Sequence, residues 1–178
     1  TAEKISLGDI AERVGEPVMG RRDEQQGFDS PWTGFGVHVV DVSVDPETDE
    51  TKVLNYTAVH ETGRILNPIG FYSQVEGGIV QSIGSALMEG LFHDESGRVT
   101  NPSFADMKIP TSRDIPPINT VTLESDDGHG QYKVRGIGEH TNSMAAPAIA
   151  NAIADVVGAR LTTIPLTSEN LYNELKDN

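Results

Sequence analysis

Apolar residues recur along this chain with two different periods, and the changes between them divide it into segments. Over residues 4–14 the apolar positions Leu7, Ile10, Ala11 and Val14 follow the three- and four-residue steps of a short amphipathic helix starting near Ser6 or Leu7. Residues 15–36 are rich in charge, Gly and Pro, as in the run from Met19 to Gly27, and read as an extended connection or arm. Residues 35–44 and 51–59 are rich in β-branched side chains, with Asp45-Pro46-Glu47-Thr48-Asp49-Glu50 as turn material between them, so the pattern predicts a β-hairpin. Helical spacing returns over 69–89, where Tyr72, Val75, Ile79, Val80, Ile83, Leu87 and Met88 line up behind an Asn67-Pro68 start.

Residues 90–117 carry no sustained period. Strands are predicted at 119–123 and 130–134, joined by Asp126-Asp127-Gly128-His129-Gly130. An alanine-rich helix is predicted over 143–157, capped by Asn142 or Ser143, with Pro147 early in it and Gly158 closing it. A short strand over 161–165 and a last helix behind Thr167, with Glu169 in its first turn, complete the chain. The element order reads as α+β, with mixed strands and packed helices in a lobe over 36–178 and a helix plus arm over 1–35.

Two local features depart from these patterns. The helix over 69–89 contains Gly70, Gly77, Gly78 and Gly84, each costing roughly 0.5–1 kcal/mol relative to Ala inside a helix. Either another backbone approaches closely there or a ligand lies against the glycine face. The second feature is Val134-Arg135-Gly136-Ile137-Gly138-Glu139, where two glycines without side chains precede one carboxylate just ahead of a helix. Glu139 is then either a proton-transfer group aimed into a cleft or a surface carboxylate near a helix start.

Composition narrows the chemistry. The 178 residues suffice for one globular core, and 27 acids against 13 bases give a formal net charge of −14, which argues against nucleic-acid binding. With no cysteine, this chain cannot ligate an iron-sulfur cluster or a thiolate zinc site itself. His38, His60, His93 and His129 show no metal-ligand spacing. No run approaches eighteen apolar residues, and the start Thr1-Ala2-Glu3-Lys4 is not a signal segment. The expectation is a soluble, cytoplasmic chain without membrane association, and one that, lacking an initiating Met, is processed or partial.

Taken in order, several blocks carry a resemblance. Val59-His60-Glu61-Thr62-Gly63-Arg64-Ile65-Leu66-Asn67-Pro68 is followed by Gln74-Val75-Glu76-Gly77-Gly78-Ile79-Val80-Gln81-Ser82-Ile83-Gly84 and Leu87-Met88-Glu89. Asn101 to Thr111, Arg135 to Glu139, Ala145 to Ile153 and Leu161 to Leu166 come next, and the whole from Gly36 onward resembles the C-terminal part of the molybdopterin-binding subunit of the molybdenum hydroxylases, the xanthine dehydrogenase and aldehyde oxidase family.

That resemblance implies roles. Glu139 corresponds to the family's base beside the molybdenum centre, which takes a proton from a water-derived hydroxyl that adds to an electron-poor carbon of an N-heteroaromatic ring or an aldehyde. Gln74, Gly77 and Gly78 correspond to pterin-binding surface, and Arg135, Gly136, Ile137 and Gly138 to the adjoining cofactor loop, with Arg135 either a cation for the anionic cofactor or solvent-facing. Glu61 stands where the family commonly has Asp, and His140, in place of a small residue or proline, either shapes substrate choice or points to solvent. No residue here is a metal ligand by resemblance. The expected cofactor is a molybdenum-molybdopterin, in a dinucleotide form, shared with a partner lobe. The chain carrying that lobe, an iron-sulfur subunit and a flavin subunit holding FAD are the expected partners. The alternatives are a noncatalytic lobe kept for assembly and a metal-free hydrolytic enzyme using Glu139.

Overall fold

The computed structural model describes residues 4–17, 19, 34–128 and 130–176. Most of the predicted arm, residues 18 and 20–33, and His129 lie outside the described residues. The chain divides into two units, Thr1–Trp32 and Thr33–Asn178. In the first, helix α1 spans Leu7–Val14 as the spacing predicts. Ser6 accepts from the Asp9 amide at 3.1 Å while Asp9 reaches back to the Ser6 amide, and Gly15 ends the helix in the left-handed region at φ 78°.

The second unit is a three-stranded mixed sheet with helices on one face, the α+β class expected. Strand β1 (Phe35–Val44) pairs antiparallel with β2 (Thr51–Glu61), and β3 (Ile118–Leu123) lies parallel to β2 on its other side. Asp45 holds the hairpin turn by accepting from the Glu47 and Thr48 amides at 2.8 and 3.0 Å. The ladder slips once, because Val42 faces Val53 while Asp41 faces Asn55. Leu54 is thus an extra residue, a bulge that lets both Val53 and Tyr56 turn into the core.

Between β2 and β3 runs α2 (Pro68–Leu87), started by Asn67, whose side chain accepts from the Gly70 amide at 3.0 Å. Phe71, Val75, Ile79, Ile83 and Leu87 form its buried stripe. They meet Val53, Tyr56 and Ala58 of β2 and Ala145, Ile149 and Ile153 of the later alanine-rich helix. Residues 90–117 are irregular as read, with the Asn101 side chain bridging the Phe92 amide and the Gly90 carbonyl.

Three sequence expectations need correction. Residues 130–134 are not a strand: Gly130 and Lys133 sit at φ 65° and 55°, which breaks extension, and Val134 makes a single bridge to Gly63. Residues 161–165 are not a strand either, because Leu161 and Leu166 anchor into the core and the Leu166 amide donates to the Ala86 carbonyl at 2.6 Å rather than to a neighbouring strand. The alanine-rich helix is preceded by a separate turn, α3 (His140–Ser143), and α4 itself spans Ala145–Val157. Neither Asn142 nor Ser143 caps it, since the Asn142 side chain is engaged by Ser82. Gly158 closes α4 at φ 74°, and Thr167 accepts from the Asn170 amide at the start of α5 (Ser168–Lys176), both as predicted.

Candidate functional site

Along α2, Gln74, Gly77, Gly78 and Gln81 fall at steps of three and four and share one face. With Gly138, Glu139, Asn142 and Ser143 opposite, they line a cleft of about 610 Å³. The two walls are fastened at three levels. Gln74 Nε2 donates to the Gly138 carbonyl at 3.3 Å, fully buried Thr141 packs against Gly78, and Ser82 Oγ donates to the Asn142 carbonyl at 2.7 Å.

The glycines of α2 divide between the two readings offered for them. A Cβ at Gly78 would come within 3.0 Å of Thr141 Cβ and 3.3 Å of the Asn142 amide nitrogen, and one at Gly84 within 2.8 Å of Pro110 Cδ. Close approach of other chain segments explains both. Gly70 faces the Asn67 amide at 3.0 Å. Gly77 is different, because a Cβ there meets nothing within 4 Å and would project from the cleft wall into open space. Gly138 on the opposite wall is equally open. Glu139 is exposed at the rim, where a ligand in the cleft can be reached.

Arg135 lies elsewhere. Its side chain is nine-tenths buried, with the guanidinium paired with Glu61 and held by Asp127 through a 2.8 Å ion pair and a 2.6 Å bond from Nε to the Asp127 carbonyl. It therefore neither faces solvent nor lines the Glu139 cleft. Glu61 also accepts from Ser125 Oγ and the Gly63 amide. Burial pushes the Glu61 carboxyl upward, but these hydrogen bonds and the Arg135 charge outweigh it and hold the pKa below the usual carboxylate range. Arg135 and Ile137 line a second, mostly apolar cavity of about 330 Å³ with Thr62, Arg64 and Phe71, and Gly136 is exposed between the two cavities' residues.

His140 does not point to solvent. Its ring packs edge-on against fully buried His60, with centroids 4.9 Å apart. Sequence reasoning missed Gln81, Asn142 and Ser143 as cleft residues. Gln81 was within reach, because it sits seven positions after Gln74 on the same helical face. Among the described residues no group of three or more His, Cys, Asp or Glu could hold a metal ion, and no helix is long and apolar enough to cross a membrane.

Residues 9–116 match the molybdopterin cofactor-binding domain. The chain belongs to that family. It is 33% identical to the xanthine dehydrogenase molybdenum-binding subunit of Escherichia coli O157:H7 over 93% of its own length, a span too long to leave out the Glu139 loop. It is 36% identical to the aldehyde oxidoreductase molybdenum-binding subunit of Escherichia coli over 80% of its length. These alignments cover 24% and 20% of the two relatives, so the chain spans about a quarter of the proteins it resembles. The fold superposes on quinoline 2-oxidoreductase from Pseudomonas putida 86 with a TM-score of 0.74 and 28% identity, over 80% of this chain and 19% of that one.

The cleft of this molybdopterin-binding domain suits one portion of such a cofactor. Gln81 offers an amide that both donates and accepts, as a pterin ring requires, Gln74 and Asn142 keep part of that capacity beside their bonds to Gly138 and Ser82, and Gly77 and Gly138 leave the space a flat group needs. Its lining has no Lys or Arg, so it does not by itself neutralise phosphate.

Proposed function

We propose that this chain forms one wall of the active site of a molybdenum-cofactor-dependent hydroxylase, with Glu139 as the base and Gln74, Gly77, Gly78 and Gly138 against the pterin. The observation carrying this reading is that five residues separated by up to 65 positions converge on one cleft whose other lining groups are neutral. When bound, the molybdenum centre supplies the two-electron acceptor and the place where water is activated. Glu139 takes the proton, Gln74 fixes the loop that carries it, and the two open glycines let the ring lie close. Arg135 contributes by tying the front of that loop to Glu61 and Asp127, rather than by touching the cofactor.

The substrate class is an N-heteroaromatic ring or an aldehyde, in keeping with relatives named nicotine 6-hydroxylase large subunit and aldehyde oxidoreductase. The remaining cofactor walls, including the cations for its phosphate, belong to a further lobe. Iron-sulfur and flavin partners carry electrons away, since this chain has no cysteine for clusters.

Glu139→Gln in the assembled enzyme tests the assignment. It keeps the shape and removes the proton acceptor, so turnover should fall by about 10²–10⁴-fold with molybdenum and pterin content unchanged. Turnover close to wild type would leave the chain as an assembly lobe.

A further inference from the structure

The glycines at 136 and 138 give the loop before Glu139 little rigidity of its own, since neither is packed against a neighbour. Its direction has to come from anchors. The one on the far side is a line of four aromatic groups drawn from β1, β2 and α3. Tyr56 Oη lies 2.7 Å from His38 Nδ1, His38 Nε2 lies 3.0 Å from His60 Nε2, and the His60 ring meets His140 edge-on. Tyr56 and His60 are 1% and 0% exposed.

The line has polarity to spare, and among the described residues no carboxylate forms an ion pair with it. His60 Nδ1 and His140 Nε2 are buried without a hydrogen-bond partner. Among the described residues that pack here, β1 presents Gly36 and His38, β2 presents Tyr56 and His60, and the α3–α4 junction presents His140 and Met144. Met144 sits so close that a Cβ at Gly36 would fall within 2.8 Å of its sulfur and 3.0 Å of His60 Nδ1. None of these facing groups is a carboxylate. The rings are therefore packed as neutral imidazoles, and edge-to-face contact of neutral rings is attractive where two imidazolium ions would repel.

We propose that His140 is a positioning residue for Glu139, its ring held in place by fully buried His60. The inference rests on the reading of Glu139 as the base. His140 follows Glu139 directly, so locking its ring against an immobile partner fixes the backbone from which the carboxylate projects. Desolvation, reinforced by the neighbouring histidines, lowers His60 to about 4, in keeping with a unit that works uncharged at neutral pH.

The test uses the assembled enzyme carrying His140→Ala or His140→Phe. Three things are measured at neutral pH: kcat and KM, molybdenum content, and amide hydrogen exchange of residues 136–142 by mass spectrometry. His140→Ala should lower kcat by about 10²-fold, the scale of a small misplacement of a catalytic group, with KM little changed and molybdenum retained, while the loop exchanges faster. His140→Phe keeps the edge contact and should restore both kcat and protection to within a few-fold of wild type. Loss of molybdenum with kcat in His140→Ala overturns the positioning role in favour of cofactor retention. Unchanged exchange and unchanged kcat in His140→Ala, with Glu139→Gln inactive, overturn this inference alone. Normal turnover in Glu139→Gln overturns the base and this inference with it.

Discussion

Adjacent glycines on α2 should respond to the same substitution with opposite signs. Gly77→Ala adds a methyl group to an exposed helical position where nothing lies within 4 Å. Only the backbone term remains, a gain of about 0.5–1 kcal/mol from helix propensity, which for a chain of this size raises the unfolding temperature by about 1–4 °C. Gly78→Ala gains the same propensity but drives its methyl against Thr141 Cβ at 3.0 Å and the Asn142 backbone at 3.3 Å. Rotating the Thr141 hydroxyl does not relieve those two contacts, because Thr141 is fully buried and the amide belongs to α3. Overpacking costs about 1–3 kcal/mol, leaving a net loss of about 1 kcal/mol at the middle of these ranges and a fall of about 2–4 °C. Thermal unfolding of the two variants checks the signs. Molybdenum and pterin analysis of the assembled enzyme adds the functional half, since a methyl in the path of a closely packed ring costs about 1–3 kcal/mol of binding, or about 5- to 150-fold in affinity. Gly77→Ala should therefore be more stable and poorly loaded. A Gly77→Ala enzyme that is stabilised and carries full cofactor refutes the placement of the pterin on this face, and a Gly78→Ala protein as stable as wild type refutes the packing argument.

Two further outcomes follow from the charged and titrating groups. Arg135→Ala strands the Glu61 carboxylate, whose side chain is only 17% exposed, and should cost about 1–3 kcal/mol; Glu61→Gln in the same chain should return part of it, so additive losses in a double-mutant cycle by urea unfolding refute the coupling. Glu61 is held below its ordinary value, so its contribution is present above the unfolded carboxylate range and lost as pH falls through the folded one, and Arg135→Ala should flatten that loss. His38 and His60 are each lowered from 6.5 to about 4, chiefly by burial, with charge from His140 at His38 and from His38 and His140 at His60. Above 6.5 both states are neutral and nothing is lost. Between 6.5 and 4 only the unfolded chain takes up protons, so the urea midpoint should fall across that window and level off below it; a His60→Phe chain with the same slope refutes the assignment.

The parts of the fold legible in sequence are those whose pattern is local. Richness in β-branched side chains at 35–44 and 51–59 and the Asp45 turn give the hairpin, and steps of three and four behind Asn67 give α2, because neighbouring residues within each element decide both. The misread segments obey distant partners. Residues 130–134 are rich enough in extended formers to read as a strand, yet Lys133 adopts φ 55° while its carbonyl accepts from the Arg64 amide at 2.8 Å, a partner some 70 positions away. Likewise Asn142 has the chemistry of a cap, and nothing local reveals that Ser82 already engages it. In the cleft, no periodicity brings Gln74 to Gly138; ordered blocks of resemblance grouped them, and they grouped Arg135 with the same loop, where the Glu61 and Asp127 carboxylates hold it in the lining of the second cavity.

The histidine line shows how little can separate legible from hidden. From the turn outward, Val44 faces Thr51 and Val42 faces Val53. Continued without interruption, that register sets His38 opposite Thr57, which places His60 on the other face of the sheet, since one step along a strand reverses the side chain. The extra residue at Leu54 moves every later pair by one, so His38 faces Ala58 and His60, two residues on, falls diagonally beside it on the same face. The 3.0 Å contact between the two rings, and through it the support of His140 next to Glu139, thus depends on one bulged residue with 43% of its surface exposed. The only trace of that slip in the hydrophobic pattern is that Val53 and Tyr56, three positions apart, both reach the core.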